Sequence, residues 1–152
     1  MLITILLFGQ SGILFCDEKA SHTVTVTVNA INEVAITGGN VSLNISTTSA
    51  SSDTNMATDN TCDLNWTTNQ SSQKITVATN LASPNFTLSV AAQNVTGGTT
   101  TGNVAISATA IDFVTNIGKN IGTCNLGYTA VATSARVTGS DTQSITYTIT
   151  DE

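Results

Sequence analysis

His22–Asn29 reads HTVTVTVN, a strict alternation of threonine and valine that predicts a β-strand over Thr23–Ala30. Successive residues of a strand point to opposite faces, so Val24, Val26 and Val28 share one face and the threonines share the other. Both residue types are β-branched and suit a pleated surface. The rest of the chain repeats this period of two without a convincing helical pattern, which predicts an all-β protein.

Turn signals at short, regular intervals divide the chain into eight or nine predicted strands. The Gly-rich turn Thr37–Asn40 predicts a hairpin between Val34–Ile36 and residues 41–45. The alternation changes phase at Ile111, which predicts either a bulge or a strand that changes partners.

A second predicted hairpin joins Cys62–Trp66 to Lys74–Thr79, and Ile145–Ile149 is predicted as the terminal strand. Strands of this length and spacing are typical of an antiparallel two-sheet β-sandwich of the Ig-like or Greek-key kind. We expect one such domain over residues 21–152. The polar stretch Thr47–Thr61 is predicted to be a loop, and its length indicates that it is either functional or mobile.

The apolar head of the chain predicts that the protein is exported. Residues 1–20 resemble a secretory signal, with an approximate cleavage point, although no Lys or Arg precedes the apolar run; a buried N-terminal strand is the alternative. Cys16, at the end of this head, is a possible lipidation site, and Phe15 stands where lipoprotein processing needs a small residue. We therefore expect a bacterial extracellular or cell-surface protein that meets the membrane only through its signal or a lipid anchor.

Two cysteines follow the head, Cys62 and Cys124. An even number of cysteines in an exported chain predicts a disulfide between them. The alternative is two unpaired thiols that act as small apolar residues.

Composition argues against several functions. Charged residues make up 9% of the chain and the net charge is −6, with four scattered cations, so we expect no nucleic-acid partner. There is no Gly-x-Ser-x-Gly motif, and His22 is the single histidine, so we expect no catalytic residue. The spacing of Asp53, Asp59 and Asp63 does not match a calcium loop, and we expect neither a metal nor a cofactor.

The chain resembles exported bacterial β-sandwich subunits of the fimbrial and spore-coat-U kind. The residues that carry the resemblance are the alternating strand after the signal, the two cysteines and the terminal run Ser144–Thr150. In those families an N-terminal alternating strand is lent to the neighbouring subunit and completes an open sandwich. The resemblance therefore implies self-association, or association with homologous surface subunits.

These observations predict a non-enzymatic structural subunit of a surface fibre, pilus or coat, with Thr23, Val24, Val26 and Val28 in its assembly strand. Monomeric proteins protect exposed sheet edges with Lys, Pro or bulges, and this chain has few lysines and one proline. The alternative for Thr23–Ala30 is that it forms the first strand of its own sheet. The alternative for the protein is a monomeric secreted or lipid-anchored adhesin or carbohydrate-binding module that uses the Thr47–Thr61 loop.

Overall fold

The computed structural model describes residues 19–46, 54–133 and 138–152, and within these ranges the chain forms strands and no helix. The nine strands are Asn32–Thr37 (β1), Thr54–Thr68 (β2), Gln73–Thr79 (β3), Thr87–Thr96 (β4), Thr99–Thr100 (β5), Asn103–Ala105 (β6), Ile111–Ile117 (β7), Asn120–Thr133 (β8) and Ile145–Asp151 (β9).

The strands form two antiparallel sheets. One sheet has five strands in the order β1-β2-β8-β4-β6, and the other has four in the order β5-β7-β3-β9. The predicted all-β, two-sheet architecture and the number of strands are therefore confirmed. The Ig-like or Greek-key detail stays a prediction.

The core lies between the sheets and is built from the apolar residues of each alternation. The five-stranded sheet contributes Leu64, Trp66 and Leu126, and the four-stranded sheet contributes Ile75 and Phe113, all of them at most 2% exposed. Threonine and asparagine occupy most of the intervening positions and face outward.

The change of phase at Ile111 marks the place where the chain changes sheets. β6 belongs to the five-stranded sheet and β7 to the four-stranded sheet, so the predicted change of partners is confirmed. A register irregularity also occurs where β7 pairs with β3, and there the consecutive residues Phe113 and Val114 are both fully buried.

Both predicted hairpins are wrong. β1 pairs with β2, which places Val34 opposite Trp66 and Ile36 opposite Leu64, and residues 41–45 belong to neither sheet. An apolar partner strand distant in the sequence is therefore preferred to the adjacent segment.

The second hairpin fails because β2 and β3 belong to different sheets. Their apolar residues meet face to face across the core instead of side by side in one sheet. The connection at residues 69–72 carries the chain from one sheet to the other, with Ser72 in the left-handed region at φ 58°.

The predicted Thr47–Thr61 loop is wrong over its second half, and residues 47–53 lie outside the described residues. Residues 54–61 form the first part of β2, where pairing with β8 supplies the backbone hydrogen bonds. The sequence of this part predicts a loop because most of its side chains are polar, and no residue between 55 and 61 is fully buried.

Candidate assembly surface

The Thr23–Ala30 segment belongs to neither sheet, so its prediction as a strand of its own sheet is wrong. Val24, Val26 and Val28 are 72%, 81% and 74% exposed, although their alternation is that of a half-buried strand. Among the described residues, the backbone–backbone hydrogen bonds and the strand ladders leave out positions 22–28. The segment therefore presents an apolar face to solvent, and its main-chain groups are not paired with any strand that the structure describes.

The segment is fixed to the sandwich at its C-terminal end by Asn69. The Asn69 side-chain amide donates to the Asn29 carbonyl at 2.8 Å, and its oxygen accepts from the Ile31 amide at 2.9 Å. The Asn69 amide also donates to the Ile31 carbonyl at 3.2 Å. These contacts set where residues 22–28 leave the fold, at the end of the sandwich where β2 finishes, which we call the Asn69 end.

A groove of about 1060 Å³ opens toward the opposite end of the sandwich. We call it the inter-sheet groove. It lies between the inner face of the five-stranded sheet and the residues that lead into β9, and its lining includes Leu43, Asn55, Leu88, Tyr128, Ala132 and Ile145. The groove exists because β2 and β8 have 15 and 14 residues whereas β3 and β9 have 7 each, so the four-stranded sheet does not cover the longer strands.

The inter-sheet groove has an open strand edge beside it. β9 is the last strand in the order of its sheet and pairs with β3 on one side within the described residues. Its other side offers N–H and C=O groups that an incoming strand can pair with. The charged side chain lining the groove is Asp141, which already accepts hydrogen bonds from the Asn85 and Phe86 amides at 2.6 and 3.3 Å.

Two thiols and two phenols lie close together in the core, and two of the four residues, Cys62 and Tyr128, also line the groove. Cys62 and Cys124 are 1% exposed and both are free thiols. Their hydroxyl neighbours Tyr128 and Tyr147 lie 2.9 Å apart, oxygen to oxygen, and are hydrogen-bonded. Burial raises the pKa of Cys124 from 9.0 to about 11, and the charge of Asp63 adds to the effect. Burial is also the largest cause that raises the pKa of both tyrosines.

The two cysteines are diagonal neighbours on adjacent strands. In the register of β2 with β8, Cys62 faces Leu126 and Cys124 faces Leu64. Diagonal pairs are typically about 7–8 Å apart between Cα atoms, at or beyond the span of a disulfide. Closing the predicted bond therefore requires the two strands to shift, and the disulfide stays a prediction.

The outer face of the five-stranded sheet carries a polar depression of about 380 Å³. Gly127 lies at its floor, where an added Cβ would come within 2.6 Å of the Gln93 side-chain nitrogen. Asp59, Asn60 and Asn103 are among the residues at its walls. Sequence reasoning missed this site because its residues come from four different strands.

Cys16 and the rest of residues 1–18 lie outside the described residues, so the predicted signal and lipidation site stay predictions. Within the described ranges, no helix is long and apolar enough to cross a membrane, and no group of three His, Cys, Asp or Glu side chains is placed to hold a metal ion.

Comparison of the chain with protein-family models, with curated proteins and with solved structures gives no match. The resemblance to fimbrial and spore-coat subunits accordingly stays a prediction, and the function must be argued from the geometry of the surface.

Sequence reasoning identified the alternating segment of the candidate surface and missed the inter-sheet groove. The alternation at Thr23–Ala30 is visible in the sequence. The inter-sheet groove arises from the unequal lengths of strands in two sheets, and no local signal in the sequence reports that inequality.

Proposed function

We propose that this protein is a non-enzymatic extracellular or cell-surface subunit that associates with further copies of itself by strand addition, and so builds a fibre or coat. The exposure of Val24, Val26 and Val28 on a segment outside both sheets is the observation that carries the proposal. An extended segment of this kind gains main-chain hydrogen bonds and buries its apolar face when it adds to a sheet edge.

The free energies of burial and of association indicate which contacts strand addition needs. Burying three valine side chains contributes roughly 5–9 kcal/mol, whereas association costs about 4–15 kcal/mol in lost translational and rotational freedom. The valines alone therefore leave little or no net free energy of association. A ladder of main-chain hydrogen bonds, each worth about 1 kcal/mol net, must contribute as well, which favours an open sheet edge as the acceptor.

The position of the segment favours open assemblies. Residues 22–28 leave the sandwich at the Asn69 end, and the inter-sheet groove opens toward the other end. When one end of each molecule binds the unlike, opposite end of the next molecule, the contact is heterologous. Such a contact produces rings or filaments instead of a closed dimer.

The proposal is tested by negative-stain electron microscopy and sedimentation velocity of residues 19–152 at increasing concentration. We expect wild type to form ordered polymers. Val26→Asp places a charge on the apolar face and abolishes them. Thr25→Asp is the matched control, because it places the same charge one residue earlier on the opposite face and leaves assembly intact.

A strictly monomeric wild type, or equal loss of assembly in Val26→Asp and Thr25→Asp, would contradict the proposal. The first result would mean that the segment is an unassociated tail. The second would mean that general charge, and not the apolar face, controls association.

A second candidate function is supported by the polar depression. Side-chain amides and a carboxylate around a glycine floor suit a ligand rich in hydroxyl groups, such as an oligosaccharide. Calorimetric titration of wild type and Gln93→Ala with a panel of oligosaccharides tests this function. Saturable binding that Gln93→Ala weakens, in a protein that stays monomeric, would favour a binding module over a structural subunit.

A further inference from the structure

The floor of the inter-sheet groove is an apolar surface on the inner face of the five-stranded sheet. Leu88 on β4 lies opposite Ala130 on β8, and both line the groove together with Ala132. β8 lies between β2 and β4, so its main-chain N–H and C=O groups are used within the sheet. A molecule seated on this floor therefore meets apolar side chains and not free main-chain groups.

The walls of the groove come from two segments beside the sheets. Val41, Leu43 and Ile45 are half-buried and line it on one side, and residues 138–145 line it on another. With these segments in place the groove has a volume of about 1060 Å³. Sites for small molecules typically have volumes of roughly 300–1,000 Å³, so the groove is large enough for such a ligand.

The inner end of the groove is closed by uncharged groups. Cys62 and Tyr128 line the groove there and are 1% and 8% exposed. The Tyr128 hydroxyl is hydrogen-bonded to the Tyr147 hydroxyl at 2.9 Å, and the Cys62 thiol donates to the Gly39 carbonyl at 3.4 Å. Burial is the largest cause that raises the pKa of Tyr128, so the phenol is neutral at physiological pH. Because these polar atoms have partners within the protein, the inner end suits an apolar group.

The charge near the groove is directed at the protein itself. The Asp141 carboxylate accepts hydrogen bonds from the Asn85 and Phe86 amides at 2.6 and 3.3 Å and from the Asn85 side chain at 2.7 Å. Within the described residues, no Lys, Arg or His lines the groove. An anionic ligand would find no cation there, and a cationic ligand would compete with three N–H donors for the carboxylate.

A polar side chain lies at the outer part of the floor. Asn55 faces Ala132 in the register of β2 with β8, lines the groove and is half-buried. A side-chain amide both donates and accepts, so it suits an uncharged group with hydroxyl or carbonyl oxygens. Four residues of β8, or about 13 Å, separate Tyr128 at the inner end from Ala132 beside Asn55. The groove is therefore apolar at its inner end and polar but uncharged at its outer end.

We propose that the inter-sheet groove binds an uncharged amphiphile, with a single hydrocarbon chain along Leu88 and Ala130 and a hydroxyl- or carbonyl-bearing head at Asn55. A hydrocarbon chain suits the floor better than a peptide does, because the main-chain groups of a peptide would lie against apolar side chains without partners. The site does not depend on strand addition, so either proposal can fail while the other stands.

The test uses residues 19–152 with Val26→Asp, so that the exposed valines neither assemble nor bind the probe. The probe is N-phenyl-1-naphthylamine, an uncharged dye whose fluorescence rises in apolar sites. Competitors with hydrocarbon chains of nearly equal length are added below the concentration at which they form micelles: 1-decanoylglycerol, decanoate and decyltrimethylammonium. We expect 1-decanoylglycerol to displace the dye at an about tenfold lower concentration than either charged competitor, because an ionised head loses hydration without gaining an ion pair.

Two substitutions on β8 locate the site. Ala130→Phe fills the floor of the groove, and we expect it to weaken binding of 1-decanoylglycerol by about tenfold or more. Val131→Phe is the matched control, because it adds the same ring at the next residue, on the outer face of the sheet. We expect this control to change binding by less than about twofold.

A second measurement covers the case in which Ala130→Phe disturbs folding, which the fluorescence of Trp66 reports. A decanoylglycerol with a photoreactive diazirine at the end of its chain is cross-linked to protein that retains Ala130, and the labelled peptides are mapped. We expect labels on the groove side of β4 and β8, between residues 86 and 88 or 128 and 132, and excess 1-decanoylglycerol should suppress them.

The outcomes are distinct. Labels outside the groove, or equal weakening by Ala130→Phe and Val131→Phe in folded protein, overturn the site. Displacement by either charged competitor at the same or a lower concentration overturns the uncharged head. Dye that the peptide HTVTVTVNA displaces and 1-decanoylglycerol does not would overturn the amphiphile and identify a peptide as the occupant. Absence of dye binding and of specific labels overturns the inference outright, and polymers of wild-type protein in the microscope would still support strand addition.

Discussion

Gly122→Ala tests whether the core is packed as the structure describes. Gly122 lies opposite Trp66 in the register of β2 with β8, and Trp66 is 2% exposed. A Cβ at Gly122 would lie 2.3–2.4 Å from three atoms of the indole ring. Atoms in favourable contact are about 3.5–4.0 Å apart, so the ring must move by about 1 Å or more in a core that has no room for it.

Overpacking of this kind typically lowers the free energy of unfolding by about 1–3 kcal/mol. For a domain of this size, that loss corresponds to a fall in Tm of roughly 4–12 °C. The assay is urea unfolding followed by the fluorescence of Trp66, which is the single tryptophan of the chain.

Gly118→Ala is the matched control, because a Cβ there meets nothing within 4 Å and its φ is not in the left-handed region. We expect a change within about 0.5 kcal/mol, or a small gain from reduced flexibility of the unfolded chain. A Gly122→Ala protein as stable as wild type would refute the placement of Trp66 against β8.

Three further predictions concern the buried thiols and phenols. Tyr147→Phe leaves the Tyr128 hydroxyl without its partner and should lower the free energy of unfolding by about 1–3 kcal/mol. Adding Tyr128→Phe to this variant should lower the free energy of unfolding by less than Tyr128→Phe does alone. Additive losses in a double-mutant cycle would contradict the hydrogen bond. In reduced protein, burial raises the pKa of Cys124 to about 11 from 9.0 and also raises the pKa of both tyrosines. The unfolded chain therefore loses these protons first as the pH rises, so the stability of the reduced protein should fall between about pH 9 and 11. Urea unfolding under reducing conditions with a flat or rising midpoint over that range would contradict this. Peptide mapping without reduction of protein exported to an oxidising compartment should find Cys62 linked to Cys124, and two free thiols there would favour their role as small apolar residues.

The period of two predicted the class of fold because it reports, residue by residue, which side of a strand is buried. It could not predict which strands pair. Ile36 lies opposite Leu64 and not beside Leu43, although residues 41–45 follow it within a few positions and carry the same alternation. Pairing depends on how well the side chains of two distant strands pack against each other, and a local pattern describes only one of the two strands.

The candidate surface, like the fold, was only partly predictable from the sequence. Val24, Val26 and Val28 form a pattern suited to a half-buried strand, yet they are exposed. The pattern therefore identified an apolar face and wrongly predicted that the chain's own sheet would cover it. The groove could not be found from the sequence, because its walls come from β2, β4, β8 and the approach to β9. It depends on how far one sheet extends beyond the other.

Hydrogen exchange of residues 23–28 in wild-type protein, measured by mass spectrometry below and above the concentration at which polymers form, tests strand addition most directly. Below that concentration these amides should exchange at the rate of an unstructured peptide. Above it, main-chain pairing with a second copy should slow the amides that face the acceptor edge, and Val26→Asp should restore fast exchange at every concentration. Fast exchange throughout residues 23–28 in assembled wild-type protein would contradict the account, because the copies would then be joined through some other surface.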